Sequence, residues 1–510
     1  MAACDFWAIA AREPSRLAVI GADGDEHTAG EVLAGCNRLV HGLRQHGIAP
    51  GEPIAVALTN RVELLELYFA ALQAGWYFAP IHVGLTAPEI AHILVDSGAR
   101  VLVFDDRSQP AVTAAARSIG LADEAMFAVG GATGARPLDD VVRGQSADSP
   151  PDRTAGDRLF YTSGTTGQPK AVRRPLANRR PETAGVAAAA HLAGVAGIAP
   201  DSGAVHLVTS PLAHSASLLW CTDHMHLGHT VVLMDRWTPE AMLDRMQRHR
   251  VTGALVVPTH FHRLLSLPDD VRTRFDPSSL RHVVHTGAPC PVDIKRRMLA
   301  WWGWVIYEVY GAAEGGGCRI GPDEWLAHPG SVGKGHGRIR VLRDDGSACA
   351  PGEIGTVYLK SGPQPFAYHN DPDKTAAARR GTFFTVGDLG RLDADDYLYL
   401  AGREADLILS GGVNVYPAEV EEVLAMHPAV DDVAVIGMPD PEWGERVVAI
   451  VVLHAEIAGG ADCIAELGAH CRERLAGYKC PRTIVFVDAL PRDDSGKLSR
   501  RKLREAVGAC

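Results

Sequence analysis

No run of apolar residues in this 510-residue chain is long enough to cross a bilayer, which argues against a membrane-spanning helix. Met1 to Pro14 places Asp5, Arg12 and Glu13 around a short apolar run, without the layout of a secretory signal, so the expected compartment is the cytoplasm and no membrane partner is expected. The ten cysteines are scattered, with no CxxC pair and no Cys/His cluster at zinc-ligand spacing. This excludes a disulfide framework and a structural zinc site, and leaves reduced thiols acting as small core residues. There is no excess of positive charge. A net charge of −11 repels nucleic-acid phosphates, so no nucleic-acid partner is expected. The local basic group Arg173, Arg174, Arg179 and Arg180 reads either as a solvated surface or as a phosphate contact. There is also no internal repeat, and the one biased stretch, the alanine-rich Val186–Ala199, reads as a helix.

What is present is an ordinary globular composition, 46% hydrophobic and 22% charged. At ~100–200 residues per domain the length suggests roughly two to four packed units. Strand-like runs alternate with helical patterns. Pro53–Leu58 precedes the helix-like Glu63–Ala74, and Val101–Phe104 precedes Ala111–Ile119. His206–Ser210, Thr230–Met234 and Gly253–Val257 repeat the theme. The pattern predicts an α/β fold with largely parallel sheets, in two subdomains. From about Gly337 short strands and turns, such as Arg338–Leu342, the Asp344-Asp345-Gly346 turn and Thr356–Lys360, predict a β-rich third subdomain. After Gly402 a compact tail, Pro417–Met426, Val433–Ile436 and Val447–Leu453, predicts a small α+β unit. The division expected is residues 1–402 and 403–510.

The chemistry concentrates in a few segments. Tyr161, Thr162, Ser163, Gly164, Thr165, Thr166, Gly167, Gln168, Pro169 and Lys170 form a run of hydroxyls and glycines closed by a lysine. Glycines let backbone N–H groups turn toward an anion, hydroxyls donate to phosphate oxygens, and the lysine adds a point charge. The order is not that of a Walker A loop. By composition alone the run is equally a flexible turn.

This run resembles the signature loop of the ANL superfamily of adenylate-forming enzymes, which includes acyl- and aryl-CoA synthetases. Further motifs follow in that superfamily's order. Tyr310, Gly311, Ala312, Ala313 and Glu314 resemble its YGxTE motif, and Thr385-Val386-Gly387-Asp388 its TGD motif. Gly402-Arg403 resembles its hinge, and the segment from Pro491 to Gly496 and Lys497 its PxxxxGK motif. The resemblance spans nearly the whole chain. It implies a large N-terminal domain with a mobile C-terminal one, and a reaction in which a carboxylate attacks the α-phosphate of ATP.

Roles follow from the resemblance. Glu314 would ligate Mg²⁺, which neutralises and orients the phosphates. Lys497 would stabilise the charge developing at phosphorus. Asp388 would accept hydrogen bonds from the ribose hydroxyls, with Arg403 beside it. Gly287, Ala288 and Pro289 would lie along the adenine and Tyr310 would cover its other face. Without the resemblance, Glu314 and Lys497 read as solvated side chains and Asp388 as a turn cap. Three departures stand out. Ala313 replaces the motif threonine, Ala171 stands where glycine usually follows the lysine, and Ala405 occupies a hinge position that often carries Asp or Lys. One phosphate contact fewer is expected.

For the second step, Gly411 and Gly412 ahead of Asn414 match the acceptor side of CoA ligases, which favours CoA over a carrier protein as acceptor. The acyl pocket would be walled by the stretch after His214, the usual gate histidine. There Asp223, His224 and His226 are too polar for a fatty-acid tunnel. If they face the pocket they select a hydroxy- or amino-substituted aryl or cinnamic acid, since an unpartnered buried polar group costs ~1–3 kcal/mol. If they lie on the outer face of their helix, a medium- or long-chain or plain aryl acid is expected. Amide formation and activation of nitrite are alternatives that keep the adenylation site. A homodimer is compatible with the sequence.

Overall fold

Runs of Val, Ile and Ala buried on both faces, each followed by an amphipathic segment, build parallel sheets because the returning helix covers the sheet. A computed structural model describes residues 5–162, 169–362, 365–410, 413–441, 443–492 and 498–508. The first sheet has six parallel strands with Pro53–Ala57 near its centre, between Tyr77–Pro80 and Val101–Asp105. The second has eight strands. Leu17–Ile20, Val205–Val208, Thr230–Leu233, Gly253–Val256, His282–His285 and Ile306–Gly311 run parallel, and Glu26–Thr28 and Gly317–Ile320 close its edges antiparallel. The helices Val62–Ala74 and Ser215–His226 contribute Phe69, Leu218, Cys221 and Met225 to one core, which also holds Val56 and Phe78 of the first sheet and Val208 and Val231 of the second. The two α/β subdomains that the alternation predicts therefore pack these helices into one shared core.

Local chemistry sets the element ends. The Val62–Ala74 helix stops at Gly75, which adopts φ 76° and hands the chain to the Tyr77–Pro80 strand. A Cβ there would stand 2.6 Å from the Thr154 side chain, so both backbone and space favour glycine. The alanine-rich stretch is helical over Thr183–Ala196.

The β-rich part is a seven-stranded antiparallel sheet. It starts a little earlier than the turn pattern suggests, at Gly333–Lys334, because those residues pair with Leu398 and Tyr397 far along the chain. Residues 408–508 form a five-stranded sheet with the helices Pro417–Ala425, Ala461–Arg474 and Arg500–Gly508. Its two cores draw on Val435, Val447, Leu467 and on Ile436, Ile450, Leu503. Among the described residues no hydrophobic cluster combines side chains from before and after Arg403. No described helix is long and apolar enough to cross a membrane. Cys36, Cys221, Cys463 and Cys471 are buried free thiols, as expected of small core residues.

Candidate active site

The C-terminal ends of parallel strands are where an open α/β sheet leaves a crevice, and two of the motifs sit there. His282–His285 runs out into Thr286, whose Oγ1 donates to the Val309 carbonyl at 2.7 Å. This ties the exposed Gly287, Ala288 and Pro289 segment to the next strand, Ile306–Gly311. That strand ends in Tyr310 and Gly311. The chain then doubles back through Gly315, Gly316 and Gly317, with φ of 110°, 72° and 134°. A Cβ on Gly317 would lie 2.1 Å from the Tyr310 carbonyl, so only glycine lets the hairpin close here.

Tyr310 and Asp388 are 78 residues apart, yet the tyrosine hydroxyl donates to Asp388 Oδ2 at 2.7 Å. Arg403 Nε donates to Asp388 Oδ1 at 3.2 Å. The arginine is there because Asp388 and Arg403 are cross-strand partners of Asp388–Leu392 and Tyr397–Arg403. Burial and the adjacent carboxylate push the Tyr310 hydroxyl pKa well up, so the tyrosine stays a donor. Asp388 is a buried carboxylate held in one orientation beside a cation, with spare lone pairs able to accept from a diol.

Glu314 sits at the turn between the Ile306–Gly311 and Gly317–Ile320 strands and is 8% exposed. The Tyr368 hydroxyl donates to its Oε1 at 2.9 Å. Lys170 Nζ lies 5.7 Å from the Tyr368 ring centroid. Arg174 Nη2 donates to the Ala313 and Glu314 carbonyls at 2.9 and 2.8 Å. Of the basic group, then, Arg174 is an internal strap on the turn. Ala312 and Ala313 pack at the edge of the β-rich core. Ala171 is 1% exposed among Tyr77, Ala79 and Leu159, so its methyl fills core space that a glycine would leave empty.

Thr162 and Lys170 face each other in register at the ends of two antiparallel strands. Ser163, Gly164, Thr165, Thr166 and Gly167 between them lie outside the described residues, as do Gly411, Gly412 and Lys497. The residues flanking the last three pair antiparallel, Ser410 with Val413 and Arg492 with Leu498. No group of three or more His, Cys, Asp or Glu side chains is arranged for a metal among the described residues. A cation at Glu314 would have to bring most of its ligands with it. That suits an ion carried on nucleotide phosphates, since Mg²⁺ is usually bound through one or two carboxylates plus phosphate and water.

His214 stands immediately before the Ser215–His226 helix, its ring 5.0 Å from that of His82. Further along, none of the three polar residues is on an outer face: Asp223, His224 and His226 are all buried. Asp223 and His226 line a cavity of about 320 Å³ together with Tyr68, Arg158, His191 and Leu219. Asp223 Oδ2 lies 2.6 Å from His191 Nδ1. His226 Nδ1 accepts from the Phe6 N–H at 3.2 Å, at the start of the first helix, Phe6–Arg12, and burial holds its pKa down at about 4, so it is a neutral acceptor there. His224 faces the other way, its ring stacked 4.2 Å from that of His206. The cavity walls do not include His214, Tyr310 or Gly287. Arg174, whose pKa burial lowers, feels the charges of Asp157 and Arg158 of the cavity as well as that of Glu314.

Sequence reasoning missed several residues. Tyr368 and Arg174 frame Glu314, and His191 and Arg158 accompany Asp223. Behind the Gly287 and Tyr310 segments lies a buried triad in which Lys295 Nζ is 2.6 Å and His285 Nε2 is 3.3 Å from Glu308 Oε2. Glu308 and His285 interrupt apolar strands, and that interruption is the one signal that could have exposed the triad.

Residues 6–367 match the family described as AMP-binding enzyme, and residues 419–497 its C-terminal domain. The chain is 36% identical over 496 residues to a feruloyl-CoA synthase from Amycolatopsis sp, covering 95% of each chain. It is 32% identical to the fatty acid–[acyl-carrier-protein] ligase ScoC of Streptomyces coeruleorubidus, covering 97% of this chain and 94% of that one. The fold superposes on the anthranilate CoA ligase AuaEII in complex with anthranoyl-AMP with a TM-score of 0.86, at 27% identity, covering 99% of this chain and 98% of that one. With ordered motifs, both domains and full-length relatives in agreement, the chain belongs to the AMP-binding enzymes of the ANL adenylate-forming superfamily.

Proposed function

We propose that this protein is an acid–CoA ligase that forms AMP. A carboxylate oxygen of the acid attacks the α-phosphorus of ATP, the bond to the pyrophosphate oxygen breaks, and acyl-AMP forms. The thiolate of CoA then attacks the acyl carbon, and AMP leaves. The observation that carries this reading is the shared carboxylate of Asp388. Tyr310 and Arg403 hold it at the crevice where the ribose diol would seat. Glu314, oriented by Tyr368 and by the Arg174 strap, would hold Mg²⁺, whose charge offsets that of the phosphates. Lys170 and Lys497 would add cations where charge develops, with Lys497 carried by the unit after Arg403. That unit would turn about the hinge between the two steps, bringing Gly411 and Gly412 to the acceptor side.

For the acid, the reading is a hydroxy- or amino-substituted aryl or cinnamic acid. Its support is the cavity of about 320 Å³ with the Asp223–His191 pair and Arg158 on its wall, set beside relatives named for feruloyl and anthranoyl substrates. Buried polar groups without a complementary ligand group cost ~1–3 kcal/mol, so a plain alkyl chain is a poor fit. A carrier protein is the second acceptor to test, since ScoC is named for one. The test is ATP–pyrophosphate exchange across a panel of hydroxy- and amino-aryl, cinnamic and fatty acids, followed by thioester assay with CoA and with a carrier protein. Absence of acid-dependent exchange would overturn the proposal. Exchange with fatty acids alone would overturn the choice of acid.

A further inference from the structure

The unit after Arg403 has its own cores and shares no hydrophobic cluster with the rest among the described residues. What holds it in one orientation must therefore be polar contact plus the strand pairing at Asp388 and Arg403. Beyond the Arg403–Asp388 bond at the boundary itself, one side-chain hydrogen bond among the described residues reaches across. His262, on the Pro258–Leu265 helix of the large unit, has Nε2 3.1 Å from Asp431 Oδ1 on the Val430–Asp440 strand of the small one. His454 of the small unit lies 3.6 Å from the same oxygen. The next residue, Asp432, is bound by Arg492 at 2.8 Å, and Arg492 pairs with Leu498 across the segment that carries Lys497. The contact with the large unit is thus made beside Arg492, which with Leu498 is the described residue on either side of the segment that includes Lys497.

We infer that His262 is a positioning residue for the first half-reaction, a latch that holds the small unit in the orientation presenting the Lys497 edge to the nucleotide. The inference rests on the proposed two-step reading. The pair is partly exposed, and exposed pairs of this kind shift an equilibrium by only ~2–5-fold. That is enough where two orientations of the small unit are close in free energy, because the latch acts on one of them. It is also weak enough to release, as a reaction that needs both orientations requires. His262 touches neither the Asp388 group nor the Glu314 turn, so its effect has to pass through the orientation of the unit.

Single-turnover measurements on the full chain, with ferulic acid as the first probe, separate the steps. His262→Ala and Asp431→Asn are each expected to slow acyl-AMP formation ~2–5-fold while ATP affinity is unchanged and thiolysis of preformed feruloyl-AMP by CoA is unchanged or faster. The double variant should be no slower than either single one, because the two changes remove the same contact. The exchanged pair, His262→Asp with Asp431→His, should recover part of the lost rate. Unchanged rates in both variants, equal slowing of both steps, or additive effects in the double variant would each overturn the latch. The two-step reading itself would fail separately, in acid-dependent pyrophosphate exchange by the unaltered protein.

Discussion

At the scale of single residues, the site is a set of carboxylates whose second contacts decide what they can do. Glu314 has Tyr368 on one oxygen and Arg174 on its carbonyl, so its side chain and its backbone are both held in place. Glu314→Gln should raise the Mg²⁺ and ATP concentrations needed for half-maximal exchange together, because the substitution removes a ligand charge. A Mg²⁺ titration identical to that of the unaltered protein would show that Glu314 binds no metal. Asp223 pairs with His191 on the cavity wall. Asp223→Leu should lower kcat/KM for a hydroxy- or amino-aryl acid ~100-fold and for its unsubstituted analogue far less, since only the polar acid loses a partner. Equal losses for both acids would place Asp223 outside the acyl site. His226 is a weaker candidate for substrate contact, because its Nδ1 already serves the Phe6 N–H. Its appearance beside Asp223 in the sequence gives no hint of that partner, which is 220 residues away.

At the scale of elements, the Ser215–His226 helix is unusual for the polar groups it buries between two sheets. His226 is held down at about 4, and its neighbours on adjoining strands, His206 and His282, at about 3 and about 4, in each case chiefly by burial. His224 is shifted the same way. All of these folded-state values lie below the ordinary histidine value of ~6.5, so as the pH falls the unfolded chain takes up protons first. The stability gained by keeping these imidazoles neutral is complete above a pH of about 6.5 and is lost as the pH falls toward 4. At ~1.4 kcal/mol per pKa unit, His226 alone accounts for ~3 kcal/mol across that window. The melting temperature should therefore be level near neutral pH and fall steeply below it, and His226→Gln should flatten part of that fall. A melting temperature that stays level from pH ~7 to ~4.5 would contradict this account of the helix. Helical periodicity places these residues on the helix, but the outer-face alternative is settled only by the first helix and the second sheet, which close over them.

At the scale of the whole molecule, two units with separate cores meet at the Asp388–Arg403 strand pair and at His262. Because Lys497 belongs to the small unit, Lys497→Ala should suppress acyl-AMP formation by ~100-fold or more while transfer from preformed acyl-AMP to CoA proceeds largely unchanged. Equal loss of both half-reactions would refute that role. The sequence by itself determined the α/β class, the β-rich third part, the compact tail and the order of the motifs, because strand and helix periodicity, turn residues and short motifs are local properties of the chain. It named Asp388, Tyr310 and Arg403 as separate candidates. That they share one carboxylate was decided by the tertiary structure, through a strand register and a glycine hairpin that no local pattern specifies. The same holds for Tyr368 and Arg174 at Glu314, for the Lys295–Glu308–His285 triad, and for the cavity beside Asp223. Each joins residues far apart in the chain, and such contacts follow from how layers pack rather than from the residues' neighbours in sequence.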